Sequence, residues 1–164
     1  MSDSRFRPSV TVAAVVERDG QYLLVEEYTF EGLRLNNPAG HLEAGESPLQ
    51  AVTREALEET ARPFEPQAFL GVYLARLVRA STAEDITYVR LAYCGTCGEP
   101  VPGAALDTGI VRTLWMSLDD VRASQARHRS PLVLLCIEDH AAGRRMPLEA
   151  VQAHASLWQP IRSA

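Results

Sequence analysis

The sequence predicts an α/β domain in which short strands alternate with helices around one core. Three observations carry this: strand-like runs recur with turn residues between them, one well-capped amphipathic helix follows the first hairpin, and the length suits one domain. At 164 residues, 46% hydrophobic and 23% charged, the chain can bury a sizeable core. It shows no internal repeat, low-complexity tract or long linker. Residues 10–150 are therefore read as a single domain, with a short segment 1–9 before it and a tail 151–164 after it.

Val10–Glu17 and Tyr22–Glu26 are rich in β-formers and flank Asp19-Gly20, whose tolerance of positive φ suits a tight turn, so a β-hairpin is expected there. The stretch Asn37 to Glu46 reads as a loop whose glycines, Gly40 and Gly45, permit close backbone approach to a ligand. A helix follows at Ser47-Pro48-Leu49-Gln50. Ser47 can cap it, Pro48 fits its first position, and Gln50 can close a capping box. Pro63 cannot continue the ladder and disfavours helical geometry at Arg62, so the helix should span Pro48 to Thr60 or Ala61. Phe69–Val78, Ile86–Cys94 and Val111–Ser117 read as strands. Leu118–Ser124 and Pro131–His140 read as helices, with Ser117 and Ser130 as their N-caps.

Composition excludes several function classes. The longest apolar run, Leu132 to Ile137, falls far short of the roughly 20 residues a membrane span needs, and the opening residues lack a signal-peptide core. A cytoplasmic protein is expected. A formal net charge of −5 argues against a nucleic-acid polymer as ligand, since phosphate backbones are held by Lys and Arg. A small anion still fits if a metal intervenes. Of the three cysteines, Cys94 and Cys97 form Cys-Gly-Thr-Cys. A redox pair favours a helix N-terminus and structural zinc needs two further ligands, whereas this pair trails a strand and leads into Gly-Glu-Pro-Val-Pro-Gly. Both are read as ordinary strand-end residues.

On a wheel of about 100° per residue, Leu49, Val52 and Ala56 form an apolar stripe facing the core. Glu55, Glu58 and Glu59 lie on an arc beside it, with Ala51 one turn earlier on that arc. Solvated glutamates are the ordinary reading of such a face. Against it, like charges at this spacing repel by a few tenths of a kcal/mol per pair, and Arg54 is the only cation between Pro48 and Thr60. A hard divalent cation would relieve the repulsion, because Mg²⁺ is held by a few acids, water and substrate phosphate oxygens. The carboxylates are expected to edge a cleft.

Gly40, Glu46, Arg54-Glu55, Ala56 and Glu58-Glu59 resemble the Nudix box, matching seven of its nine specified positions with the family spacing over 23 residues. Ala61 and Arg62 depart from it, standing where the family has Gly and an aliphatic residue. The resemblance implies a Nudix-type α/β/α sandwich with a mixed β-sheet and a hydrolase dependent on Mg²⁺, with Mn²⁺ as a substitute. The chain is also similar to the narrower group of NudJ-type phosphatases, through Pro38-Ala39-Gly40-His41-Leu42-Glu43, Arg129-Ser130-Pro131-Leu132-Val133 and Met146-Pro147-Leu148-Glu149. That likeness implies a small phosphorylated substrate: a nucleoside di- or triphosphate, or the diphosphate of the thiamine-precursor pyrimidine.

Carried onto this chain, the resemblance implies Glu55 and Glu59 as principal metal ligands, Glu58 as a further one, and the Ala39 carbonyl as part of the same shell. It implies Arg54 as the residue holding a glutamate in place and Glu46 as a residue positioning metal-bound water. Glu55 is the candidate general base. Arg90, in a strand, is a candidate for binding substrate phosphates, with a structural arginine as the alternative. Tyr88 and Trp115 are candidates for stacking on a heterocycle, although aromatic residues at strand spacing more often build the core. Leu77-Val78-Arg79 lacks the tyrosine or proline that dinucleoside polyphosphate and ADP-ribose hydrolases of the family tend to carry in that region. A non-catalytic ligand-binding Nudix module is the reading from another class, and the complete acidic set favours catalysis over it.

Overall fold

The computed structural model describes residues 5–79 and 83–159. Its first hairpin joins β1 (Ser9–Arg18) to β2 (Gln21–Thr29). Asp19 and Gly20 turn it with φ of 52° and 79°. Only Glu17↔Tyr22 and Arg18↔Gln21 pair before the two strands diverge. The divergence leaves an edge of β1 free further along. There β4 (Ala39–His41) pairs antiparallel with Thr11–Ala13. On its other side β1 pairs in parallel with β6 (Glu84–Cys97), which in turn forms a long antiparallel hairpin with β5 (Phe64–Arg79). The second strand carries β3 (Gly32–Asn36) and β7 (Ile110–Ser117), completing a seven-stranded mixed sheet.

Period-2 alternation along β1 sends side chains to both faces. Val12, Ala14 and Val16 pack with Val52 and Ala56 of α1 (Pro48–Thr60), while Val15 packs with Cys136 and Ile137 of α3 (Leu132–Ala141). Helices thus cover the two faces of a mixed sheet, the expected α/β/α sandwich. A short helix, α2 (Leu118–Ala123), leads from β7 toward α3. Among the described residues no helix is long and apolar enough to cross a membrane.

Two strands were not expected. Residues 37–46 were read as loop, yet Ala39–His41 is β4, and Gly32–Asn36 is β3. Neither carries a strong strand signal; the free edges of β1 and β2 recruit them. The expected tail contains a 3₁₀ turn, Ala155–Trp158, whose Trp158 indole donates to Gln50 Oε1 at 3.1 Å. The third helix begins one residue later than expected, with Pro131 at its cap, although Ser130 Oγ still accepts from the Leu132 N–H at 3.3 Å. Ala51, placed on the glutamate arc of the wheel, is fully buried in the core.

The start of α1 follows its expected chemistry. Ser47 Oγ accepts from the Gln50 N–H and Gln50 Oε1 accepts from the Ser47 N–H, a closed capping box. At the other end Ala61 is left-handed, with φ 56° and ψ 17°, and donates its N–H to the Leu57 carbonyl at 2.8 Å. Glycine adopts this conformation without the cost of a Cβ. Ala61→Gly is therefore expected to raise stability by up to about 1 kcal/mol and leave turnover within a few-fold. A lowered melting temperature would contradict it.

Candidate active site

The site forms where α1 meets β4. Gly40 lies in β4 opposite Val12, and the absence of its side chain is what admits Glu55. A Cβ built on Gly40 would stand 2.1 Å from the Glu55 carboxyl carbon and 2.2 Å from each of its oxygens. The flanking ladder bonds, Ala14 N–H to Pro38 O and Leu42 N–H to Val10 O, alternate so that Ala39 turns its own N–H and carbonyl away from β1. That N–H donates to Glu59 Oε2 at 2.8 Å. Two glutamates one helical turn apart are thereby docked on successive residues of one strand.

Both are buried, Glu55 to 8% and Glu59 to 7% exposure, where an unbalanced carboxylate is costly. Burial raises the Glu55 pKa above the usual carboxylate value despite the opposing pull of Arg54. Burial pushes Glu59 further, up to about 8, with only the Ala39 N–H bond opposing it. Glu26 supplies the contrast. It is just as buried at 3%, yet a hydrogen bond from Arg112 Nε at 2.7 Å, with Arg127 beside it, holds its carboxyl below the usual range. Among the described residues no guanidinium serves Glu59 in that way.

Behind this pair stands Arg54, whose five N–H donors all find acceptors. Its Nε and Nη2 grip Glu46 at 3.1 and 2.7 Å, Nη1 reaches Glu55 Oε1 at 2.7 Å and Glu58 Oε2 at 3.0 Å, and Nη2 also meets the His41 carbonyl at 3.1 Å. The Glu43 N–H donates to Glu46 at 2.7 Å. Glu46 is thus committed to anchoring Arg54 and the loop. Glu58 departs from its two neighbours: its side chain is 46% exposed and its carboxylate rests on Arg54. Arg54 in this way fixes Glu46, Glu55 and Glu58 relative to one another and, through the His41 carbonyl, to β4.

Glu55 and Glu59 edge a cleft of about 390 Å³, a volume suited to a small molecule. Arg90 forms part of the same cleft from β6, 6% exposed, with Nη1 donating to Asn37 Oδ1 at 3.2 Å and Nη2 to Asn36 Oδ1 at 3.3 Å. Its Nε has no partner among the described residues. Glu27, Asp107 and Arg129 also line the cleft and were missed from the sequence. Arg129 lies in a stretch that had carried the family resemblance; Glu27 and Asp107 stand in no motif, and only the fold brings them in. Arg129 Nη1 bonds Glu27 Oε2 at 2.7 Å.

Of the two aromatic candidates, Tyr88 lines the cleft and Trp115 does not. Trp115 packs against the core beneath the guanidinium groups of Arg18 and Arg62, 5.0 and 5.8 Å from its ring centre. Cys94 and Cys97 end β6, and burial raises both thiols, the opposite of what an activated redox pair requires.

The donor set fits a hard divalent cation. Two buried carboxylates without a full counter-charge, beside a carbonyl that the β1 ladder does not use, are oxygen donors of the kind such an ion takes. Among the described residues no three His, Cys, Asp or Glu side chains gather around one point.

An α/β/α sandwich whose cleft helix seats one glutamate on a strand glycine and the next on a strand amide has the build of a Nudix domain. A family model described as NUDIX domain matches residues 5–135. The Phosphatase NudJ of Escherichia coli (strain K12) is 35% identical over 147 residues, covering 89% of this chain and 92% of its own. A solved NUDIX hydrolase from Nitrosomonas europaea is 50% identical and superposes with a TM-score of 0.82, over 90% of this chain and 98% of that one. At 20% identity the NUDIX domain of Shewanella oneidensis NrtR, solved with ADP ribose, shares the fold with a TM-score of 0.62 over 87% of this chain and 92% of that one. The chain belongs to the Nudix family and is a hydrolase.

Proposed function

We propose that this hydrolase cleaves a phosphoanhydride bond in a small nucleoside di- or triphosphate, or in the diphosphate of the thiamine-precursor pyrimidine, and releases phosphate. One observation carries the reading: a single cleft places two buried, incompletely balanced carboxylates and a buried guanidinium without a carboxylate partner along its walls. A buried cation of this kind is stabilised by an incoming anion, and the carboxylates by a cation. A metal–phosphate ligand satisfies both.

Glu55, Glu59 and the Ala39 carbonyl would hold Mg²⁺, or Mn²⁺ in its place, with Glu58 joining them on leaving Arg54. The cation supplies charge neutralisation at the phosphate oxygens and a lowered pKa for bound water. Arg90 orients the phosphates from the floor of the cleft. In the hydrolytic step the water oxygen bonds to phosphorus, the bridging P–O bond breaks with its electrons on the leaving phosphate, and the water proton passes to Glu55. Arg54 holds Glu55 through a hydrogen bond from Nη1 to Oε1. Glu46, through its two bonds to Arg54, keeps the acceptor aimed.

Phosphate release from a panel of nucleotides and heterocyclic diphosphates tests this reading. Turnover is expected with Mg²⁺ or Mn²⁺ and is expected to vanish with a chelator, because carboxylates alone would repel the substrate. Full turnover in chelator would sink the mechanism.

A further inference from the structure

Resting on the reading of this cleft as a diphosphate site, we infer that Tyr88 determines its specificity by stacking on the flat ring of a heterocycle joined closely to the phosphates. Tyr88 and Arg90 project from the same face of β6, two residues apart, which separates them by about 6.6 Å along the strand. A phosphate on Arg90 therefore sets a ring carried one sugar or one short link away against Tyr88.

The surroundings of Tyr88 are those of a platform. Its cross-strand neighbours are Ala75 on β5 and Ser9 on β1, so neither flank covers the ring with a large side chain. It is only partly buried and belongs to neither apolar core cluster. Among the described residues its hydroxyl makes no hydrogen bond, and neither does that of the core residue Tyr93, so it is partial exposure and a place in the cleft lining that set Tyr88 apart. An aromatic residue placed for the core would be packed on its faces; this one is lined up on the cleft instead. Ala75, Leu77, Pro131 and Leu132 give the same cleft apolar surface. Toward the glutamates stands His41, its ring centre 6.5 Å from that of Tyr88 and tilted by 49°. Arg54 bonds the His41 carbonyl and so ties the backbone of this residue to the acidic helix.

Stacking of a base on an aromatic side chain contributes about 1–3 kcal/mol, which converts to roughly fivefold to a hundredfold or more in affinity. The test uses the full chain with Mg²⁺ and two probes that resist hydrolysis, a methylene-bridged nucleoside diphosphate and methylenediphosphonate, which has no ring. The wild type is expected to bind the ring-bearing probe at least about fivefold more tightly. Tyr88→Leu should erase that preference without altering affinity for the ringless probe, and Tyr88→Phe should retain it. Ala75→Leu, which covers the ring from the neighbouring strand, should erase it as well and keeps the test decisive if Tyr88→Leu misfolds. A wild type that binds both probes equally, or a Tyr88→Leu variant that still prefers the ring, overturns the inference and leaves the hydrolase reading standing. A wild type that binds neither probe overturns both.

Discussion

Glu59→Gln is expected to keep the fold and lower turnover by two or more orders of magnitude. The amide retains an oxygen to accept the Ala39 N–H at the same place, so β4 stays docked on α1. What disappears is a negative charge facing the cleft. A second readout separates loss of a ligand from loss of structure. In chelator, wild-type stability should fall as pH rises from about 4.5 toward about 8, since burial raises Glu59 to about 8 in the folded chain from 4.5. The sign follows because a raised carboxyl pKa favours folding below the unfolded value and loses that advantage as pH climbs through the folded one. Glu59→Gln should remove this part of the slope. Near-normal turnover would reject Glu59 as a ligand, and an unchanged slope would reject the rise of its carboxyl by burial.

Gly40→Ala is expected to be comparably damaging to turnover, at least about a hundredfold, although Gly40 bears no chemistry of its own. A Cβ there would lie 2.1 Å from the Glu55 carboxyl carbon, well inside the ~3.5 Å at which carbon atoms meet. The clash falls on the end of a flexible side chain, so Glu55 can swing away while β4 remains paired with Val12. Thermal stability should therefore drop only by about 1–3 kcal/mol, the ordinary cost of overpacking. Because the substitution works through Glu55, the pair Gly40→Ala and Glu55→Gln should be strongly non-additive, the double variant scarcely worse than Glu55→Gln alone. Turnover within a few-fold of wild type in Gly40→Ala would show that the seat of Glu55 under β4 is irrelevant to catalysis.

The sequence by itself determined the acidic helix and the spacing within it. Ser47, Pro48 and Gln50 mark its start and Pro63 its end, and helical periodicity then puts Glu55 and Glu59 one turn apart beside an apolar stripe. These are local effects, acting over about four residues, and local effects can be read from adjacent letters. The same locality failed where two local answers were both allowed. Ala61 could continue the helix or turn left-handed; its N–H bonds the Leu57 carbonyl as a last helical bond in either case, and it is in the folded chain that its carbonyl, turned out of the helix, accepts from the Val101 N–H at 2.8 Å.

Only the tertiary structure decided which carboxylates face the cleft and what stands opposite them. Glu58 and Glu59 are adjacent in sequence, yet one is exposed on Arg54 and the other buried against Ala39, because β4 docks along one side of α1. Residues 39–41 become a strand only because β1 and β2 diverge and expose an edge. Arg90 meets Asn37 across 53 positions of chain, brought there by the parallel pairing of β1 with β6, which no local propensity encodes. Tyr88 and Trp115 looked alike as strand aromatics. Their separation into cleft wall and core packing follows from whether small or large side chains occupy the neighbouring strands, a property of the assembled sheet.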